Sequence, residues 1–261
     1  MNIDPRQPER MDMATSFGAL CTDFYLNQKL ALKMDLPSDR ETILHFFDRV
    51  RKQIPSLSRF RRYDGELALE AARREAEYQW LSLRRTSIRS GHVNPGTMEK
   101  AYCFHRLLLE LSPHFLTISP LDVDYVELMF GFDLECKDNH DDVIYQALIA
   151  DSPMADLLKV PDAKMLDVQP VFGVTLTEKG DLQAYFEVKT RQKSRRGSSK
   201  QYRNEPISIF LTLRQYGPIQ DTENLTQIFD ELSGHCEMLA TEKLVPDLLT
   251  PILRHITSSA G

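Results

Sequence analysis

The sequence predicts an α+β fold, with antiparallel sheets and helices packed on one face of them. Three observations predict it. Several stretches alternate apolar and polar residues with a period of two, as half-buried strands do. Others carry apolar residues at helical spacing. The strand-like stretches also follow one another across short turns, which makes antiparallel neighbours.

The elements follow in chain order. Residues 1–16 are polar, hold two prolines and read as a lead-in. In "GALCTDFYLNQKLALKMD", Leu20, Phe24, Leu26, Leu30, Leu32 and Met34 share one face, and Asp23, Tyr25, Asn27, Lys29 and Lys33 point with the other, so residues 19–35 read as a long strand. Ser38, with Glu41 three residues on, offers a capping box for a helix striped by Ile43, Phe46, Phe47, Val50 and Ile54. "RFRRYDGELALEA" and "EYQWLSLRRTSIRSG" read as the two arms of a hairpin joined near "ARREA". Asn94 and Pro95 offer a cap and a first-turn proline for a second helix striped by Met98, Ala101, Tyr102, His105, Leu108 and Leu109, ending at Pro113.

A second series then begins. "LDVDYVELMFGFDLEC" is a strand with Val126, Leu128, Phe130, Phe132 and Leu134 on one face, and "KDNHDDVIYQALI" is a capped helix. Two strands turn at Lys179-Gly180-Asp181, and "PISIFLTLRQYG" supplies another. Helical stripes close the chain: Leu225, Ile228, Phe229, Leu232, Cys236 and Leu239, then Leu248, Leu249, Ile252 and Ile256 beyond Pro246. Residues 22–47 resemble the start of this second series at an offset of about 101 or 102. The expected organisation is therefore two related β-α-β-β-α modules in tandem, 17–116 and 117–261, as separate modules or as one compact unit.

Composition narrows the class. The chain has 261 residues, of which 42% are apolar and 27% charged, which suits a folded body with a sizeable core. No apolar run approaches the length of a membrane span, and "MNIDPRQPERMDMATS" lacks an apolar secretion core. Cys21, Cys103, Cys136 and Cys236 lie far apart without CxxC spacing and read as reduced thiols. Together these point to a soluble cytoplasmic protein.

Four groups of residues are weighed as sites. "KTRQKSRRGSSKQYR", Lys189 to Arg203, holds seven cations and no carboxylate in a chain of net charge −6, and it falls at a hairpin tip between two strands. A solvated loop ranks first for it, an acidic partner or the protein's own acidic surface second, and nucleic acid last, because only Tyr202 offers a stacking ring. Lys193, Arg195, Arg196, Lys200 and Arg203 are the residues that would make such a contact. A second group, Arg59, Arg61, Arg62 and Tyr63 with Arg84, Arg85 and Arg89, is expected to pair with carboxylates across strands. The third, Glu135, Asp138, His140, Asp141 and Asp142, reads as helix capping and not as a metal site. In the fourth, Asp23, Tyr25, Asn27, Lys29 and Glu127 would line a polar cleft between sheet and helices.

His105 reads as a hydrogen-bonded core histidine, and Trp80 as packed in the sheet. HExxH, GxSxG, GxGxxG and the phosphate-binding loop motif are absent, and no cofactor or metal is expected. The leading expectation is a non-catalytic binding or scaffolding protein that meets a protein partner, or its own copies, through exposed surfaces and the basic hairpin arm. The rival is an enzyme or small-molecule binder using the polar cleft.

Overall fold

Strands β1 (Asp23–Leu32) and β6 (Val123–Leu134) pair antiparallel at the middle of a single nine-stranded sheet. This computed structural model describes residues 12–72, 76–162, 167–190 and 205–259. On one side of the seam lie β5 (Ser87–Val93), β4 (Tyr78–Arg84), β3 (Glu66–Ala71) and β2 (Leu57–Tyr63). On the other lie β9 (Ile207–Tyr216), β8 (Leu182–Thr190) and β7 (Val171–Thr175). Every neighbouring pair is antiparallel. The two halves thus share one sheet. Outward from the seam, each half runs first strand, last strand, then the earlier strands in reverse order.

The alternation that marks β1 and β6 decides which way each residue points. Phe24, Leu26, Leu30, Val126, Leu128, Phe130 and Phe132 are buried beneath the helices. Phe17, from α1 (Met13–Gly18), joins them; its ring lies 5.4 Å from Phe24 and 5.6 Å from Phe132. Over this face lie α2 (Arg40–Gln53), α3 (Met98–Leu116), α4 (His140–Leu148), α5 (Leu225–Leu239) and α6 (Thr250–Ser259). Among the described residues no helix is long and apolar enough to cross a membrane.

Several boundaries differ from the sequence expectation, each for a local reason. The first strand spans 23–32 rather than 19–35; a register shift at Ala31/Leu32 ends its alternation and leaves Met34 exposed. Asp39, not Ser38, caps α2 by accepting from the Thr42 N–H. The expected single hairpin is a four-strand meander, because each arm contains its own turn: Asp64-Gly65, with Gly65 at φ +67°, and Arg85-Thr86. Thr97 caps α3, while Asn94 accepts from the Phe24 N–H and fixes the end of β1. Helix α3 continues through Pro113 to Leu116, whose side chain is buried. The two closing helices are one run, because residues Ala240–Leu249 wind as a π-helix that carries Pro246 and joins α5 to α6. A wider turn tolerates a residue that cannot donate its N–H.

Candidate functional site

Helices cover one face of the sheet, and the polar residues of β1 lie on the other. Asp23, Tyr25, Asn27 and Lys29 alternate with the buried Phe24, Leu26 and Gln28, so they point away from the helix layer. The cleft expected between sheet and helices is therefore absent at these residues, which belong to the helix-free face.

The strand register lays that face out in rows. One row runs Trp80, Gly91, Asn27, Met129, Thr212 and Tyr185. The next runs Tyr78, Val93, Tyr25, Gly131 and Phe210. Beyond it, Asp23 stands directly opposite Asp133, which is followed by Ser208 and Lys189. On the far side of the first row come Arg89, Lys29, Glu127 and Arg214.

Glycine makes the relief. The Trp80 ring occupies the space a side chain on Gly91 would fill, and the Tyr25 ring occupies that of Gly131. Both rings therefore lie down against the backbone of the next strand instead of standing away from it. Tyr25 is fixed there by donating its hydroxyl to Asp133 Oδ1 at 3.1 Å, and its ring centroid is 6.4 Å from that of Phe210. The result is an open depression of about 510 Å3, bordered by Asp23, Tyr25, Asn27, Ala76, Tyr78, Trp80, Val93, Met129, Asp133 and Phe210. Asn27 Oδ1 lies in it, buried and without a hydrogen-bond partner among the described residues.

Of the five cleft residues expected from sequence, Asp23, Tyr25 and Asn27 border this depression. Lys29 and Glu127 stand outside it. The Lys29 ammonium donates to the Tyr125 hydroxyl at 2.5 Å, and Glu127 accepts from Arg214 Nε at 2.5 Å. That ion pair is half-sheltered, and the carboxylate holds the Arg214 guanidinium above its ordinary pKa against the opposing effect of burial. Lys193, Arg195, Arg196, Lys200 and Arg203 lie outside the described residues; the strands on either side of them, β8 and β9, pair as neighbours up to Thr190 and Ile207.

Sequence reasoning missed Tyr78, Met129, Asp133 and Phe210 as partners of β1, and it placed Trp80 only as packing. Gly91 and Gly131 were the available signal, since glycine inside a strand marks close approach.

Some of the remaining candidates have structural partners. Arg84 pairs with Glu66 at 2.6 Å and Arg85 with Asp35 at 3.0 Å, while Arg59 faces Glu70 across β2 and β3. Asn139 caps α4, and Asp141 accepts from the Val168 N–H at 3.0 Å. Among the described residues no three His, Cys, Asp or Glu side chains are grouped to hold a metal ion. All four cysteines are free thiols.

Under the helices, Ser90 Oγ lies 2.8 Å from His105 Nδ1 and donates to Gln28 Oε1 at 3.0 Å. The distance matches a nucleophile and its base. However, Gln28, Ser90 and His105 are at most 1% exposed, so no substrate reaches them. Burial pushes the His105 imidazole down to about 3, which leaves it neutral. Nearby, the buried His92 ring meets Glu77 Oε1 at 2.8 Å, and burial lowers its pKa in spite of that carboxylate. Gln28, Ser90 and His105 thus bond one another within the core, while His92 and Glu77 border a second, open hollow with Thr97 and Lys100.

No protein-family model matches this sequence, and no match to a curated protein reaches significance.

Proposed function

We propose that this protein is a non-catalytic binding protein whose contact surface is the helix-free face of the sheet. One observation carries the reading. Aromatic rings lie flat over Gly91 and Gly131, which opens a depression of about 510 Å3 at the centre of a face that no helix covers among the described residues. A large sheet needs one apolar face against its helices; it does not need a hollow lined with rings and carboxylates on the other.

The partner in this reading is a polypeptide, either another protein or a second copy of the chain. The Lys189–Arg203 segment would add a second, electrostatic contact, and the similar outward order of strands supports reading the halves as related modules. A cytoplasmic setting accords with four free thiols.

Trp80 is the only tryptophan of the chain and borders the depression, so its emission reports on occupancy. Titration with short basic, acidic and neutral peptides should give a saturable change with one class. Acidic peptides binding without any effect on Trp80 would move the function to the basic segment. Indifference to all three classes would end the proposal.

A further inference from the structure

We propose that the depression receives the cationic side chain of a basic polypeptide segment, with arginine as the best fit. This rests on the reading of the helix-free face as the binding surface, and goes further by naming the chemistry of the guest.

The lining decides the sign of the charge. Its ionisable members at neutral pH are two carboxylates, Asp23 and Asp133, and the described lining contains no Lys or Arg. The two aspartates are direct partners across β1 and β6. Like charges placed opposite each other on one sheet face cost stability. No ion pair among the described residues offsets either of them. Among the described residues Asp23 takes one side-chain hydrogen bond, from Asn94 Nδ2 at 2.6 Å, on Oδ1. Asp133 takes those of Tyr25 and Ser208, the latter at 2.6 Å, also on Oδ1. In each, Oδ2 faces no donor among the described residues. A cationic guest would neutralise a pair that no ion pair offsets among the described residues.

The rings point the same way. Tyr25, Tyr78, Trp80 and Phe210 surround the hollow, and the faces of such rings attract cations. A guanidinium is flat, stacks on indole or phenol faces and offers a fork of N–H groups to carboxylate oxygens. Phosphate chemistry fits poorly, because both carboxylates would repel it. Neighbouring cations are engaged elsewhere: Lys29 with Tyr125, Arg214 with Glu127, and Lys189, whose ammonium lies 5.8 Å from the Phe210 ring, with Glu187 at 2.8 Å. The open shape suits a side chain delivered by an extended segment better than a free small molecule, which binds in sites that enclose most of its surface.

The test uses acetylated tetra-arginine amide as the probe, followed by titration calorimetry and by Trp80 emission on the full chain. Saturable binding that weakens with added salt is expected. Asp23→Asn/Asp133→Asn should weaken it about tenfold or more, since charge-assisted contacts become neutral ones. The same double change should leave the melting temperature unchanged or raised, because it removes a like-charge pair. Met129→Arg, which sets a cation in the hollow without touching either carboxylate, should also abolish binding. Equal affinity in the double variant and the unaltered protein would overturn the proposal. So would spermidine binding as tightly as the peptide, which would move the ligand to free polyamines. Binding of tetra-glutamate but not tetra-arginine at Trp80 would overturn the cationic guest and leave the binding face standing. Silence with every probe would remove both.

Discussion

Phe130→Ala should cost about 3–5 kcal/mol of folding stability, the largest loss of any single change considered. Phe130 is wholly buried on β6, between Leu26 of β1 and Leu211 of β9. Its ring meets Phe24 edge-on at 5.7 Å and Phe17 at 6.3 Å. Truncation removes those contacts at the seam where the halves join, and strands on both sides hold the cavity open. Urea unfolding should show the midpoint falling with little change in slope. A loss below about 1 kcal/mol would mean that the seam is not the centre of the core.

The second large effect is on pH dependence, and it comes from His105. Its imidazole titrates near 6.5 when exposed and is pushed down to about 3 in the folded protein, chiefly by burial. Below pH 6.5 the unfolded chain therefore binds a proton that the folded chain refuses. The contribution of His105 to stability is complete above that pH and falls as pH drops towards 3. The slope is about 1.4 kcal/mol per pH unit, or about 2 kcal/mol between pH 6.5 and 5. His92, also lowered by burial, acts in the same direction. His105→Leu should flatten the loss measured by urea unfolding at those two pH values by about that amount. Parallel pH dependences of the variant and the unaltered protein would refute the assignment.

Much of the fold was legible because exposure alternates so cleanly in β1 and β6. Residues from Phe24 to Leu30, and from Val126 to Leu134, can be sorted into faces by eye, and burial confirms the sorting. Boundaries were less legible because several residues near each one are able to do the same job. Ser and Asp are both cap residues, as are Asn and Thr, and only the path of the chain selects Asp39 over Ser38 and Thr97 over Asn94. The four-strand meander was missed because Asp64-Gly65 was read as part of a strand, although that dipeptide favours tight turns.

Half of the candidate site was legible for the same reason as the fold. Asp23, Tyr25 and Asn27 announce a polar face on β1, but nothing local says which strand faces which. Asp133 joins them by pairing with Asp23 across 110 residues, and Phe210 by pairing with Gly131 across 79. The direction of the face was misjudged because an amphipathic strand shows that its two sides differ, and not that helices cover only the apolar one.

Hydroxyl-radical footprinting of the free and peptide-saturated protein tests the central claim most directly. In the free protein, Tyr78, Trp80 and Met129 should be oxidised while Phe24 and Phe130 stay protected. Saturation with tetra-arginine should protect the first three and leave Phe60 and Tyr63, exposed on the outer strand β2, as reactive as before. Protection of Trp80 and Met129 already in the free protein, or their unchanged oxidation with peptide bound, would contradict the account.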